Sequence, residues 1–455
     1  MSAPLTSGPT LEELAGELQR GTVTSRALVE NCLARINDPA GEGSKAFMAV
    51  AAARALTLAD AFDALRANGA APSRFAGIPI SVKDLFDLAG EVTRAGSTAL
   101  ANAPAAAADA EAVRLLKRAG FIVIGRTNMS EFAFSGLGVN PHYGTPLGVW
   151  DRRNARVPGG SSSGAAVSVV DGMAHAGLGT DTGGSCRIPA AFNGIVGFKP
   201  TANRVSKAGA VPLSQTLDSV GPLARSVSCC AVLDEILSGS EPSLPQPVRE
   251  IAGLRVFAPT NYYLDGGDNT VSSAFRQALT ALAKAGAQIS EGEFAELNEI
   301  PTINRKGGFS AAESYAWHSN LIETSAQAYD PLVLVRIKRG LEQTSADYIR
   351  LKVERESFVD RVAKRLAAFD VVAFPTTPIV PPTIAECAAP DAFGRINLLC
   401  LRNSTTVNMW DGCAISLPIK TAEGIPVGLT LASTGGRDKE LLQWAAGVEQ
   451  VFARS

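Results

Sequence analysis

An α/β fold is what this sequence predicts, on three observations. Units of helix, glycine and short apolar strand recur along the chain. Glycine is abundant, at 43 residues, alanine is frequent, and aromatic residues make up only 6%. That balance suits helices packed closely on a sheet better than a β-sandwich. Hydrophobic residues account for 46% of the 455 positions, enough for a large core. Similar units lie on both sides of the best linker candidate, so one domain over 1–455 is expected.

The elements read as follows. Residues 1–70 form a helical segment. Thr10-Leu-Glu-Glu13 is a capping box, with Leu11, Leu14 and Leu18 on one face. Leu28, Cys32 and Ile36 repeat the pattern in a second helix after Thr24, and an alanine-rich helix is expected over 47–65. Gly77-Ile-Pro-Ile-Ser-Val82 reads as a short buried strand. A helix over 112–119 ends at Gly120, and Phe121-Ile-Val-Ile124 follows as a strand. The same grammar returns with the strand Leu254-Arg-Val-Phe257, a helix over 271–285, and Gly286. It returns again with a helix over 362–368 before Asp370-Val-Val-Ala-Phe374. A last strand runs through Val427-Gly-Leu-Thr-Leu431, before a C-terminal helix from Lys439. Residues 238–247 read as a surface loop within the domain, and 375–382 as a loop with four prolines.

Composition excludes several classes. A formal net charge of −2 gives no electrostatic footprint for nucleic acid. The most apolar stretch, 165–178, is interrupted by Asp171 and His175, so no membrane span is expected. Met1-Ser-Ala-Pro-Leu-Thr-Ser-Gly8 has neither a basic region nor an apolar core, so no secretory leader is read there. The seven cysteines are Cys32, Cys186, Cys229, Cys230, Cys387, Cys400 and Cys413, with no C-x-x-C pair. They read as buried free thiols of a reducing, cytoplasmic protein. His142, His175 and His318 are the only histidines, and no H-E-x-x-H or Cys/His cluster exists, so neither a metal nor a cofactor is expected.

The chemistry concentrates in Pro158-Gly-Gly-Ser161-Ser162-Ser163-Gly164 and Gly179-Thr-Asp181-Thr-Gly-Gly-Ser185-Cys-Arg187-Ile-Pro189. A flexible linker is the plain alternative for the first, but Ala165-Ala-Val-Ser-Val-Val170 then suits a buried helix. A phosphate loop does not fit, because no Gly-Lys-Ser/Thr follows and G-x-G-x-x-G is absent. Thr182-Gly-Gly-Ser185 offers successive backbone N–H groups in chain where turns cost little, which suits an oxyanion hole. Asp181 and Arg187 flank it and can pair to brace the loop. A serine nucleophile needs a base. A triad with histidine, assembled across the fold, stays open at this point.

The chain resembles the amidase signature family, the Ser–cis-Ser–Lys hydrolases, over nearly its whole length. The matching blocks are Gly77-Ile-Pro-Ile-Ser-Val-Lys83-Asp84, Gly125-Arg-Thr-Asn-Met-Ser-Glu-Phe132, the two signature runs, Gly194-Ile-Val-Gly-Phe-Lys-Pro-Thr201, Asp218-Ser-Val-Gly-Pro-Leu-Ala-Arg225 and Pro426-Val-Gly-Leu429. The signature core spans about 75–230, and about 240–400 is the least diagnostic, pocket-shaping region. The resemblance implies a single-domain amidase signature fold, a mixed twisted sheet covered by helices on both faces. It implies Ser185 as nucleophile, Ser161 as bridging serine and Lys83 as base, with a cis Gly160–Ser161 peptide. The backbone N–H groups of Thr182, Gly183, Gly184 and Ser185 would form the oxyanion hole, and Ser162 would hydrogen-bond around the lysine and bridging serine. Lysine acts as a base only when neutral. Its ordinary pKa is about 10.4, and burial lowers it by up to about 3–5 units. Ser163, Ala165, Cys186 and Gly148-Val-Trp150 depart from the family pattern without touching these three residues.

For the pocket, the resemblance places Met129, Phe132 and Phe134 near the acyl side. Met129, Phe134 and Ile188 are the apolar candidates for substrate contact, while Phe132 is as well read as core. Residues 403–412 are expected to approach the site. No Arg or Lys cluster in the sequence marks a carboxylate-bearing substrate. The leading expectation is an amidase that cleaves the C–N bond of a small amide, an aryl or alkyl amide, anilide or acetamide-like compound. Carbamate, urethane or ester hydrolysis by the same triad is a close variant. The glutaminase (A-type) component of a tRNA-dependent amidotransferase is another, and a catalytically dead binding protein is disfavoured by the intact Lys83, Ser161 and Ser185. The expected partner is the small amide or carbamate substrate, with no nucleic acid and no membrane, and a homodimer as candidate assembly.

Overall fold

Alternation along the strands shows how the sheet is buried. In Val371–Pro375, Val371 and Ala373 pack into one hydrophobic cluster while Val372 and Phe374 pack into another. A strand turns successive side chains to opposite faces, so both faces of the sheet are covered. The computed structural model of the chain describes residues 8–419, 421 and 423–454. The N-terminal stretch read as lacking a leader lies outside them, apart from Gly8.

The strands are β1 Phe47–Val50, β2 Pro79–Lys83, β3 Ile122–Thr127, β4 Ala176–Asp181, β5 Val196–Lys199 and β6 Ser219–Ala224. They continue with β7 Arg255–Pro259, β8 Gln288–Gly292, β9 Val371–Pro375, β10 Cys413–Ile419 and β11 Val427–Ser433. All belong to one 11-stranded sheet, ordered β1-β3-β2-β4-β6-β5-β10-β11-β9-β7-β8. It is mixed, as expected. β2 runs parallel to β3 and β4, and β7 parallel to β8 and β9, while β4–β6 and β10–β11 are antiparallel. This is an α/β architecture built on one mixed sheet.

The capping box forms as read: Thr10 caps Leu11–Arg20, its side chain accepting from the Glu13 amide while the Glu13 carboxylate accepts from the Thr10 amide. Thr24 caps Ser25–Ile36. The strands read at 77–82, 121–124, 254–257, 370–374 and 427–431 all exist, within about three residues of those bounds.

The alanine-rich helix is a correction. It begins only at Ala52, and Phe47–Val50 is instead an edge strand, with Phe47 paired to Thr127 and Val50 to Gly125. The free edge of β3 offers ladder partners that outweigh the local helical preference. Helix Ser345–Leu366 is far longer than the segment read at 362–368. Helix Pro390–Met409, which carries most of the 403–412 segment, has no counterpart among the helices expected from the sequence. No helix of the described residues is long and apolar enough to cross a membrane.

Candidate active site

Three adjacent parallel strands, β3, β2 and β4, end side by side, and the signature residues sit at or just beyond their carboxyl ends. In open α/β sheets that is where ligand crevices form. The β2 pleat divides its side chains. Ile80 and Val82 enter the main core, whereas Ser81 and Lys83 share the opposite face. There Ser81 Oγ lies 2.8 Å from Ser168 Oγ, on the helix Ser163–Val170 that follows the paired serines. The neighbouring β4 carries Gly179 on that face. A Cβ there would come within 2.7 Å of Ser162 Oγ, so only glycine lets the serine run approach the strand.

Lys83 is fully buried. Its Nζ donates to Ser161 Oγ at 2.7 Å and to Thr180 Oγ1 at 2.8 Å. Burial pushes the ammonium down from its ordinary range to about 8. The Gly160–Ser161 peptide is cis. The Ser161 carbonyl accepts from the Ser130 amide at 3.1 Å, and the Ser162 amide donates to the Ser185 carbonyl at 3.3 Å, which brings the two signature runs together. Thr180 stands inside the second signature run but carries no role in the sequence reading. Strand alternation would send it to the face opposite Gly179, so it is not a signal for this contact.

The loop after β4 is held by Asp181. Its carboxylate accepts from Arg187 Nε at 2.9 Å and Nη2 at 2.8 Å, from the Gly184 and Cys186 amides, and from Asn408 Nδ2 at 3.0 Å. Burial alone would raise this carboxyl, but the Arg187 guanidinium overrides it and holds the group down at about 2. Gly184 has φ +132°, and a Cβ there would lie 2.1 Å from Ser404 Oγ, so the turn requires glycine. From the helix Pro390–Met409, Ser404 Oγ donates to the Gly183 carbonyl at 2.6 Å and Thr405 Oγ1 to the same oxygen at 3.2 Å. Thr182 Oγ1 donates to Asp218, whose other oxygen accepts from the Leu213 and Ser214 amides. Residues 403–412 thus reach the site as expected, whereas Asp218 as an anchor of Thr182 was missed.

Two of the expected roles change. The Gly184 N–H donates to Asp181 Oδ1 at 2.9 Å, so of the four amides expected as oxyanion donors Gly184 is already engaged. The Ser162 hydroxyl donates to the Thr180 carbonyl at 3.4 Å and makes no hydrogen bond to Ser161 Oγ, while Lys83 donates to Ser161 and Thr180.

Ser185, Thr182 and Gly183 open onto a cavity of about 950 Å³, lined also by Phe134, Leu398 and Leu401. That is the volume of a small-molecule site. Met129 and Ile188 do not line it. Both are fully buried, Met129 in the main core and Ile188 in a satellite cluster with Leu137 and Phe192. Their apolar character marks core rather than pocket. Phe132 is core as well, packed edge-on against His318 at 4.3 Å. Trp150 stacks under Arg156 at 4.6 Å, away from the cavity lining.

Among the described residues, none of the three histidines hydrogen-bonds to Ser161 or Ser185. His142 meets Glu131 at 2.9 Å and His318 meets the Tyr329 hydroxyl at 2.8 Å, while burial lowers His175 to about 3. All seven cysteines are buried and free, and burial pushes the Cys186 thiol up, so it stays protonated beside the lysine. Among the described residues, no group of three or more His, Cys, Asp or Glu converges as a metal site.

Known proteins share this architecture. Residues 27–442 match the Amidase family. A 2-amino-5-chloromuconic acid deaminase of Comamonas testosteroni is 35% identical over 98% of this chain and 96% of its own length. The A-type component of glutamyl-tRNA(Gln) amidotransferase from Moorella thermoacetica is 32% identical over 97% of this chain and 96% of its own. The crystal structure of an amidase superposes with a TM-score of 0.88 at 31% identity, covering 98% of this chain and 100% of the other. With the family match running from the second helix to the last, and relatives aligned end to end, this chain belongs to the Amidase family of amidohydrolase enzymes.

Proposed function

We propose that the chain hydrolyses the C–N bond of a small amide through Ser185, Ser161 and Lys83 and an acyl-enzyme intermediate. The observation that carries this reading is the buried Lys83 Nζ, 2.7 Å from Ser161 Oγ, beside a Ser185 that opens onto the cavity. Neutral Lys83 accepts the Ser161 proton as Ser161 takes the proton of Ser185, whose Oγ attacks the carbonyl carbon. The amides of Thr182, Gly183 and Ser185 stabilise the resulting oxyanion. The proton returns along the same path to the leaving nitrogen, the C–N bond breaks, and the acyl group remains on Ser185. Water attacks that ester by the same relay, releasing the carboxylic acid and regenerating Ser185. Asp181 and Arg187 act by holding the 182–186 loop, and Ser162 by joining the two runs.

Phe134 is the member of the apolar trio proposed to contact the substrate. That the Comamonas relative is named for a small organic acid supports a small-molecule substrate here. The same relay cleaves carbamates and esters. A second reading, the glutaminase component of a tRNA-dependent amidotransferase, is favoured by the end-to-end match to the Moorella protein. Turnover of simple amides by the purified chain alone supports the first reading; glutamine turnover that appears only with a co-purified partner supports the second. Ser185→Ala is expected to abolish labelling by a neutral fluorophosphonate, and persistent labelling of the variant would overturn the assignment.

A further inference from the structure

The cavity that holds Ser185 collects four arginines from two separate stretches of the sequence. Arg336 is near the end of the helix Pro331–Lys338, Arg339 follows it, and Arg395 and Arg402 lie on the helix Pro390–Met409. One acidic side chain, Asp265, shares the lining, and it accepts from the Tyr262 amide. None of the four arginines enters an ion pair among the described residues.

Arg336 is the most telling of them. Its guanidinium lies 5.7 Å over the Phe134 ring and 5.2 Å over the Phe393 ring. Nε donates to the Leu332 carbonyl at 2.7 Å, but Nη2 is buried with no partner. Asp330, the carboxylate whose field it feels, is outside ion-pair distance. A guanidinium held by aromatic faces and one carbonyl, with no carboxylate paired to it, keeps its charge available to an anion in the cavity it lines. Arg402 is likewise held by neutral groups, donating to the Asp265 and Tyr263 carbonyls and lying over the Tyr262 ring. Arg339 and Arg395 are exposed at the mouth. Like charges converging in a concave wall focus a positive potential on it, and the planar guanidinium fork matches a carboxylate.

We propose that the cavity selects amides bearing a carboxylate remote from the scissile bond, which Arg336 grips on the Phe134 wall while Arg402, Arg339 and Arg395 supply the attracting field. This rests on the amidase reading and deepens it. The anion would meet the side of the Arg336 guanidinium that lines the cavity, and the acyl chain between the two ends would run past Phe134.

Fluorophosphonate labelling of Ser185 in the full chain provides a readout independent of turnover. Succinamate, glutaramate and adipamate serve as competitors, each beside the uncharged primary amide of the same length. At least one half-amide should slow labelling by about tenfold at a concentration where its neutral counterpart slows it less than about twofold. Arg336→Gln should cut that protection at least about fivefold, and Arg276→Gln, on the outer face of the helix Asn269–Lys284, should retain it. If Arg336→Gln fails to fold, Arg339→Gln and Arg395→Gln, whose side chains are exposed, should each weaken protection by about twofold or more. Labelling that no half-amide slows, or that neutral amides slow equally, overturns the anion subsite and leaves the amidase reading standing. Absence of labelling in the wild-type chain overturns the amidase reading, and the subsite with it.

Discussion

The two walls of the Ser185 cavity are built on opposite principles. On the catalytic wall, the charged groups Lys83, Asp181 and Arg187 are fully buried and every one has close partners, Asp181 alone accepting from five donors. On the far wall, Arg336, Arg339, Arg395 and Arg402 make no ion pair among the described residues, and apolar side chains stand in the opening. The first wall is complete before substrate arrives; the second is waiting for one. Substitutions on the first should therefore cost catalysis and folding together, and those on the second should move affinity and selectivity while leaving folding alone.

The largest effect should come from the relay. Lys83→Ala and Ser161→Ala should each lower kcat/KM for a model amide by about 10³-fold or more, and the double variant should be little worse than either. Steady-state kinetics on all three decides this. Full additivity would show that lysine and serine act separately, and the catalytic wall would not be one unit.

Next is the brace. Arg187→Met leaves the Asp181 carboxylate buried with amide donors but no counter-charge. Breaking a buried pair in this way costs about 3–5 kcal/mol, a loss that denaturant titration should read directly. Arg395→Met, on the far wall, should change the same titration by less than about 0.5 kcal/mol. Equal losses would erase the contrast between the walls.

The contrast also explains what could be read in the sequence. Lys83, Ser161 and Ser185 are legible through the resemblance of their motifs to the amidase signature family; a lysine at the end of a strand and two serines among glycines would not by themselves have singled them out. The Asp181–Arg187 pair is legible from the residues themselves, since six residues and one turn bring them together. What escaped needed three dimensions. That Gly184 spends its N–H on Asp181 depends on how the turn closes, which glycine spacing does not reveal. Met129 and Ile188 look like pocket residues because apolar character does not say which side of a loop faces the core. Phe47–Val50 follows the free edge of β3, a partner some 75 residues distant. Arg336 and Arg339 lie close together, as do Arg395 and Arg402, but nothing in the sequence brings the two pairs to one cavity.

The pH dependence sharpens the picture of the lysine. Burial sets Lys83 at about 8, and the proposed relay uses its neutral form as the base. The rate should therefore rise about tenfold per pH unit below 8 and level off above it. Thr180 Oγ1 accepts from the ammonium at 2.8 Å, and so favours the charged form. Thr180→Val should move the midpoint of the profile to lower pH, and an unmoved midpoint would mean that another group sets it. The same burial makes a stability statement. Between about 8 and the ordinary value of 10.5 the unfolded chain holds a proton that folded Lys83 does not, so this group adds stability as pH rises through that window.

The smallest effect belongs to the mouth of the cavity. Leu398 is 70% exposed and lines the opening with Leu401. Because it is already in water, Leu398→Ser should shift the denaturation midpoint by no more than about 0.5 kcal/mol. If an apolar acyl chain buries roughly 30 Å² against it, at about 25 cal/mol per Å², the lost contact is near 0.75 kcal/mol, or about three- to fourfold in KM. The chemistry lies on the other wall, so kcat should stay within about twofold. Comparing KM and kcat for a hexanoyl and an acetyl amide tests this. A loss confined to the longer acyl chain places that chain along the Leu398 side. An equal loss for both, or a fall in kcat, would show that the helix Pro390–Met409 transmits changes at the mouth to the Gly183 carbonyl it holds through Ser404, and that the two walls are one device.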